Sequence, residues 1–134
     1  DDTGLEVAAL GGAPGVHSAR FAGPMADSAG NRSLLLKRLQ GVDDRRAQFK
    51  TVIAFATESG TWLFEGVCRG TITHEEKGEG GFGYDSIFKP RGYGKTFAEL
   101  AEEEKNRISH RGRALEKFKT HLLALTESFG EDPQ

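Results

Sequence analysis

The sequence predicts an α/β fold built as one domain. Three observations carry that prediction. Residues 48–57 and 61–73 are two β-rich apolar runs separated by Ser59-Gly60, the signature of a hairpin. Residues 29–39 and 108–125 carry leucines and other apolar residues at three- and four-residue spacing, the mark of helices. The chain has 134 residues, 37% hydrophobic and 28% charged, which suits a single soluble globular domain and excludes a disordered chain.

The elements follow in order. Residues 5–10 form a short apolar run, closed by Gly11-Gly12-Ala13-Pro14-Gly15, and read as a strand and a loop. Residues 18–22 have room for one helical turn. Leu34, Leu35, Leu36 and Leu39 give a helix that stops at Gly41. Phe49, Val52, Ile53, Ala54, Phe55 and Ala56 predict a strand buried on both faces. The return strand sets Trp62, Phe64, Gly66 and Cys68 on one face, with Val67 and Ile72 expected on the other. Residues 74–81 are a charged, glycine-rich loop. Residues 84–88 read as a short strand ended by Pro90. A helix is expected over 97–106, with Phe97, Leu100 and Ala101 inward, and a last helix is marked by Ile108, Leu115, Phe118, Leu122 and Leu125, with Ser109 as its cap.

Composition excludes several roles. Net charge is −2, so bulk attraction to nucleic acid or to an anionic membrane is not expected. No apolar run approaches the roughly 20 residues of a membrane helix. Cys68 stands alone, which excludes an intramolecular disulfide and fits a reducing, cytoplasmic setting. His17, His74 and His121 lack any zinc spacing, and His121 is expected to pack rather than ligate.

Two segments concentrate the chemistry. Gly80-Gly81-Phe82-Gly83-Tyr84-Asp85 offers pliant backbone, an aromatic face and a carboxylate. Gly78, Gly80 and Gly83 match a GxGxxG spacing, but a charged loop precedes them, so the dinucleotide fingerprint fails on context. A flexible hairpin loop is the plain alternative. Phe82 favours a stacking platform, since an aromatic between glycines has little core to join. The second segment, residues 104–111, gathers Lys105, Ser109, His110 and Arg111 at a helix–helix junction. A solvated charged face is the ordinary reading of such a run. A helix start there would also favour anions. At the chain start, Asp1 and Asp2 repel each other, which a divalent metal relieves. An Asx turn or a fraying terminus is the plain alternative.

Residues 1–7, 11–23, 64–66, 80–85, 87–88, 96–100 and 104–111 together resemble the inosine triphosphate pyrophosphatase family, in order and over nearly the whole chain. The resemblance implies an α/β fold with a long mixed sheet, flanking helices and two lobes around a nucleotide cleft. It implies Mg²⁺-dependent hydrolysis of ITP, dITP and XTP to monophosphate and pyrophosphate by a homodimer. Asp2 then takes the catalytic and metal-ligand role, and Thr3 stands for a substrate-contacting Ser. Phe82, Gly83, Tyr84 and Asp85 contact the nucleotide, with Phe82 stacking on the base. Lys105, His110 and Arg111 line the base pocket. Two positions depart from the pattern: Ser86 stands where Pro is usual, and Ser33 where Lys commonly follows the Asn equivalent to Asn31. The family pattern also begins with a strand and a phosphate-gripping Thr/Ser-x-Asn-x-x-Lys loop. That part would precede Asp1, so the expectation is an N-terminally incomplete domain. A nucleotide-binding module without catalysis is the second reading.

Overall fold

A two-residue loop, Glu58 and Ser59, joins the two longest strands, β3 (Arg46–Thr57) and β4 (Gly60–Ile72). Such a short connection dictates antiparallel pairing, and their register runs without a break from Arg46↔Thr71 to Thr57↔Gly60. In the computed structural model of the chain, residues 2–130 are described, their side chains as far as residue 125. The order of elements is β1 (Asp2–Val7), β2 (Pro14–Gly15), α1 (Ser28–Arg38), β3, β4, β5 (Phe88–Pro90), α2 (Glu102–Ile108) and α3 (His110–Gly130). The strands form one open sheet in the order β2-β1-β3-β4-β5. The α/β class is the expected one. The resemblance implied a mixed sheet, whereas every pairing among the described strands is antiparallel.

Alternation decides which face is covered. In β3 the buried residues are Ala47, Phe49 and Thr51, while Gln48, Lys50 and Val52 are only half-buried. The strand is therefore one-sided, not buried on both faces. Strict period two also moves Ile72 onto the face of Gly66 and Cys68, where it is buried. On this face Phe49 meets Phe88 at 4.7 Å and Phe97 at 5.9 Å, and Leu5, Val7, Leu35, Leu39 and Ile87 complete the core.

Helix α3 lies across the same face. It approaches so closely that a Cβ at Gly66 would fall 1.9 Å from the carbonyl oxygen of His110. Only glycine permits that seat. Further along, Phe118 packs on Phe55 and Phe64, and His121 lies between Trp62 and Phe64, as a packing residue should. The rest of the expected stripe is less covered: Leu115, Leu122 and Leu125 stay exposed. No described helix is long and apolar enough to cross a membrane.

Two expected elements shift. Residues 85–87 form a 3₁₀ turn, and the strand begins at Phe88. The helix expected from residue 97 begins at Glu102, because the Phe97 amide donates to the Phe88 carbonyl and the Thr96 amide to Glu99 Oε1. Those bonds hold Phe97 in a turn against the core. Ser109 ends α2 and caps α3, its Oγ accepting from the Gly112 amide at 3.0 Å.

Candidate active site

The first half of β1, the start of α1, the 82–85 loop and the α2–α3 junction surround a cavity of about 680 Å³. Thr3, Phe82, Gly83, Tyr84, Asp85, Lys105, His110 and Arg111 all line it. Asp2 does not. It lines an adjoining depression of about 470 Å³ with Glu6, Lys50 and Val52, and Thr3 and Gly4 border both spaces. The split follows from the strand: Thr3 and Leu5 point to the core face of the sheet, Asp2 and Glu6 to the opposite face. Asp1 lies outside the described residues.

Phe82 is 74% exposed, an unusual state for a ring. Its loop is held from within. The buried Asp85 carboxylate accepts from the Phe82 amide at 3.0 Å and from Lys105 Nζ at 2.6 Å. Lys105 Nζ also sits 5.0 Å from the centre of the Phe82 ring, within cation–π range. Gly81, at φ +74, makes the loop possible, since a Cβ there would meet Asp85 Oδ2 at 2.3 Å. Asp85 is therefore a brace for the platform and for Lys105, with its carboxylate already engaged. Tyr84 is likewise engaged: its hydroxyl donates to the Ser18 carbonyl at 2.6 Å, and burial pushes its pKa up to about 12.

His110 stacks on Phe49 with ring centres 4.7 Å apart. Burial dominates its titration and lowers its pKa from 6.5 to about 4; nearby Asp85 opposes the shift, and Arg111 and Lys105 add to it. The imidazole is thus neutral near pH 7, not a third cation. Its Nδ1 is buried with no hydrogen-bond partner. Lys105 and Arg111 supply the positive charge of the cavity.

Several residues that frame the site were not read as site residues from the sequence. Thr51, fully buried on β3, bonds the Thr3 hydroxyl at 2.8 Å. Ser18 accepts from the Leu5 amide at 2.9 Å and donates to the Gly15 carbonyl at 2.6 Å. Asn31 accepts from the Ala22 amide and donates to the Ala19 carbonyl, fixing the 19–22 turn against α1. Asp27 caps α1 by accepting from the Gly30 amide at 2.8 Å.

The depression beside Asp2 holds two carboxylates of unequal freedom. Glu6 accepts from Gln48 Nε2 at 2.7 Å and lies 3.8 Å from Lys50 Nζ. Asp2 is exposed. Among the described residues no group of three or more His, Cys, Asp or Glu forms a metal cage. Magnesium needs only one or two carboxylates when substrate phosphates and water complete its shell. The donors present fit an ion arriving with a phosphate chain.

The family model described as Ham1 family matches residues 1–121. The chain belongs to the Ham1 family. It is 56% identical over 116 residues to a dITP/XTP pyrophosphatase of Syntrophobacter fumaroxidans, covering 86% of this chain and 50% of that protein. It is 57% identical over 120 residues to a dITP/XTP pyrophosphatase of Desulforamulus reducens, covering 87% of this chain and 60% of that one. The solved Ham1 protein of Staphylococcus aureus matches with a TM-score of 0.90 at 43% identity, over 92% of this chain and 65% of that one. The chain thus spans half to two thirds of the length of these Ham1 relatives.

Proposed function

We propose that this protein hydrolyses ITP, dITP and XTP to the monophosphate and pyrophosphate. The observation that carries the reading is a pair of neighbouring hollows that share Thr3 and Gly4 in their lining: a cavity with an exposed ring and cationic donors, and a depression with an exposed carboxylate. The names of the relatives, dITP/XTP pyrophosphatases, agree with it.

In this reading the base stacks on Phe82, with Lys105 and Arg111 donating to its 6-oxo oxygen. Adenine presents a 6-amino donor there, so donor would face donor, and a bond left unmade between desolvated groups is costly. His110, neutral, forms one wall and packs on Phe49. The Thr3 hydroxyl contacts the substrate where the two spaces join. The Asp2 carboxylate positions a water and accepts its proton as that water attacks phosphorus. Lys50 adds positive charge on the phosphate side. Asp2, with the substrate phosphates, would hold Mg²⁺, which when bound would neutralise charge on the leaving pyrophosphate and make a water more acidic. A homodimer in the cytoplasm completes the reading.

The test is a pyrophosphate-release assay with Mg²⁺. ITP, dITP and XTP should turn over far faster than ATP, and chelation of the metal should stop the reaction. Equal rates on ITP and ATP, or orthophosphate as the direct product, would refute the proposal.

A further inference from the structure

Ser86, the position that departs from the family pattern, is part of a polar cluster outside the cavity. Its hydroxyl donates to Glu76 Oε1 at 2.8 Å. The same oxygen accepts from Arg32 Nε, and Arg32 Nη1 donates to the Gly83 carbonyl at 2.8 Å. One guanidinium therefore spans from Glu76, at the entry of the 74–83 loop, to Gly83, one residue beyond Phe82. Arg32 projects from α1, whose first turn lines the cavity through Asp27, Ser28 and Asn31. Its side chain is 19% exposed and that of Glu76 45%.

We infer that the Arg32–Glu76–Ser86 cluster is a positioning clasp that holds the Phe82 platform at a fixed height over the cavity. The inference rests on the reading of Phe82 as the base platform. Geometry favours it over an incidental surface ion pair. An exposed pair contributes little by itself, but here two bonds from one planar fork fix two points of a loop. Between those points lie exposed residues, including Phe82. The interior of the loop is anchored separately, by Gly80 to the Ala98 carbonyl and by Phe82 to Asp85. Those bonds hold the loop to the core side; the clasp is its tie to α1. Loss of the clasp frees the α1 side of the platform while Asp85 and Lys105 keep their bond.

Arg32→Ala, Arg32→Lys and Ser86→Ala test this in the full protein, by amide hydrogen exchange and by steady-state kinetics with ITP. Arg32→Ala should speed exchange over residues 79–84 while leaving the β3–β4 hairpin unchanged. KM should rise about three- to tenfold, the net worth of one ordinary hydrogen bond, with kcat within about twofold if the platform only positions the base. Arg32→Lys cannot span both acceptors and should behave like Arg32→Ala. Ser86→Ala leaves the Arg32 bonds and should give a smaller shift in the same direction. Unchanged exchange over 79–84 would overturn the inference. So would faster exchange spread equally over the hairpin, which would make the cluster a general stabiliser. Faster exchange confined to the loop, in a protein that binds no ITP, would sink the proposed function and leave the clasp standing.

Discussion

The two ends of the candidate site are built differently. Around the cavity most key groups are already held: Asp85 by Phe82 and Lys105, Tyr84 by Ser18, Thr3 by Thr51, His110 by Phe49. Around the depression the groups are sparse: Asp2 is exposed, and the two contacts of Lys50, to Glu6 and Glu65, are both 3.8 Å long. A preorganised end reads shape and hydrogen bonds, because its donors cannot move to suit a wrong ligand. A loose end takes its order from what binds there. Substitutions at the base end should therefore act on selectivity, nucleotide affinity or stability, and substitutions at the phosphate end on turnover.

Asp2→Asn is the sharpest way to break that contrast. Asn has nearly the same shape but neither accepts a proton nor balances a metal. Turnover of ITP should fall on the order of 10²–10⁴-fold, with ITP affinity and thermal stability nearly unchanged. Measuring kcat, ITP binding and Tm on one preparation checks all three. A near-normal kcat would remove Asp2 from catalysis.

Lys105→Ala and Arg111→Ala probe the other end and should differ from each other. Each removes a charged donor, so the preference for ITP over ATP should drop about tenfold or more. Lys105→Ala also strands the buried Asp85 carboxylate, a loss on the order of 3 kcal/mol of stability. Arg111 is exposed, and its removal should cost little. Denaturant unfolding of both variants beside an ITP/ATP rate comparison separates the roles. Equal loss of both substrates' turnover would assign these residues to phosphate or fold.

How much of this was legible follows from how far apart the partners lie in sequence. Phe82, Lys105, His110 and Arg111 stood out because each belongs to a short, odd cluster. The hairpin was legible because Ser59-Gly60 sits between two β-rich runs; the loop itself falls one residue earlier. Thr51, Lys50 and Glu6 were illegible. Their roles depend on the β1–β3 register, Thr3↔Thr51 and Gly4↔Lys50, which no local pattern fixes. Phe97 was misread for a related reason. Its apolar spacing fits a helix, but the hydrogen bond from its N–H to the Phe88 carbonyl, nine positions away, outcompetes helix formation. The dual burial of β3 failed because an apolar run shows which residues can be covered, not whether a layer lies on each side.

Phe82→Ala sharpens the comparison at smaller scale. The ring is mostly exposed, so the fold should lose little when it goes. Stacking on a base is worth about 1–3 kcal/mol, so ITP and ATP should both bind roughly ten-fold or more weakly, with their ratio nearly kept. Isothermal titration with non-hydrolysable analogues of each reads this directly. A changed ratio with unchanged ITP affinity would mean that Phe82 reads the base edge instead of its face.

The smallest expected effect is the pH dependence set by His110. Its folded-state pKa is lowered, from 6.5 to about 4, chiefly by burial. The unfolded chain therefore takes up the proton first as pH falls. Stability is fully present above about pH 6.5, declines as pH drops toward 4, and below that loses nothing further to this residue. The ring is only half-buried, so solvent screens much of the cost and the slope should be shallow. His110→Phe keeps the packing on Phe49 and removes the titration. Urea unfolding of both proteins between pH 7 and pH 5 isolates the difference, above the range where most carboxylates titrate. The parent should lose stability across that interval more steeply than the variant. Parallel curves would mean that His110 takes up its proton in the folded state near its ordinary pKa, and the cavity would then hold a third cation in mild acid.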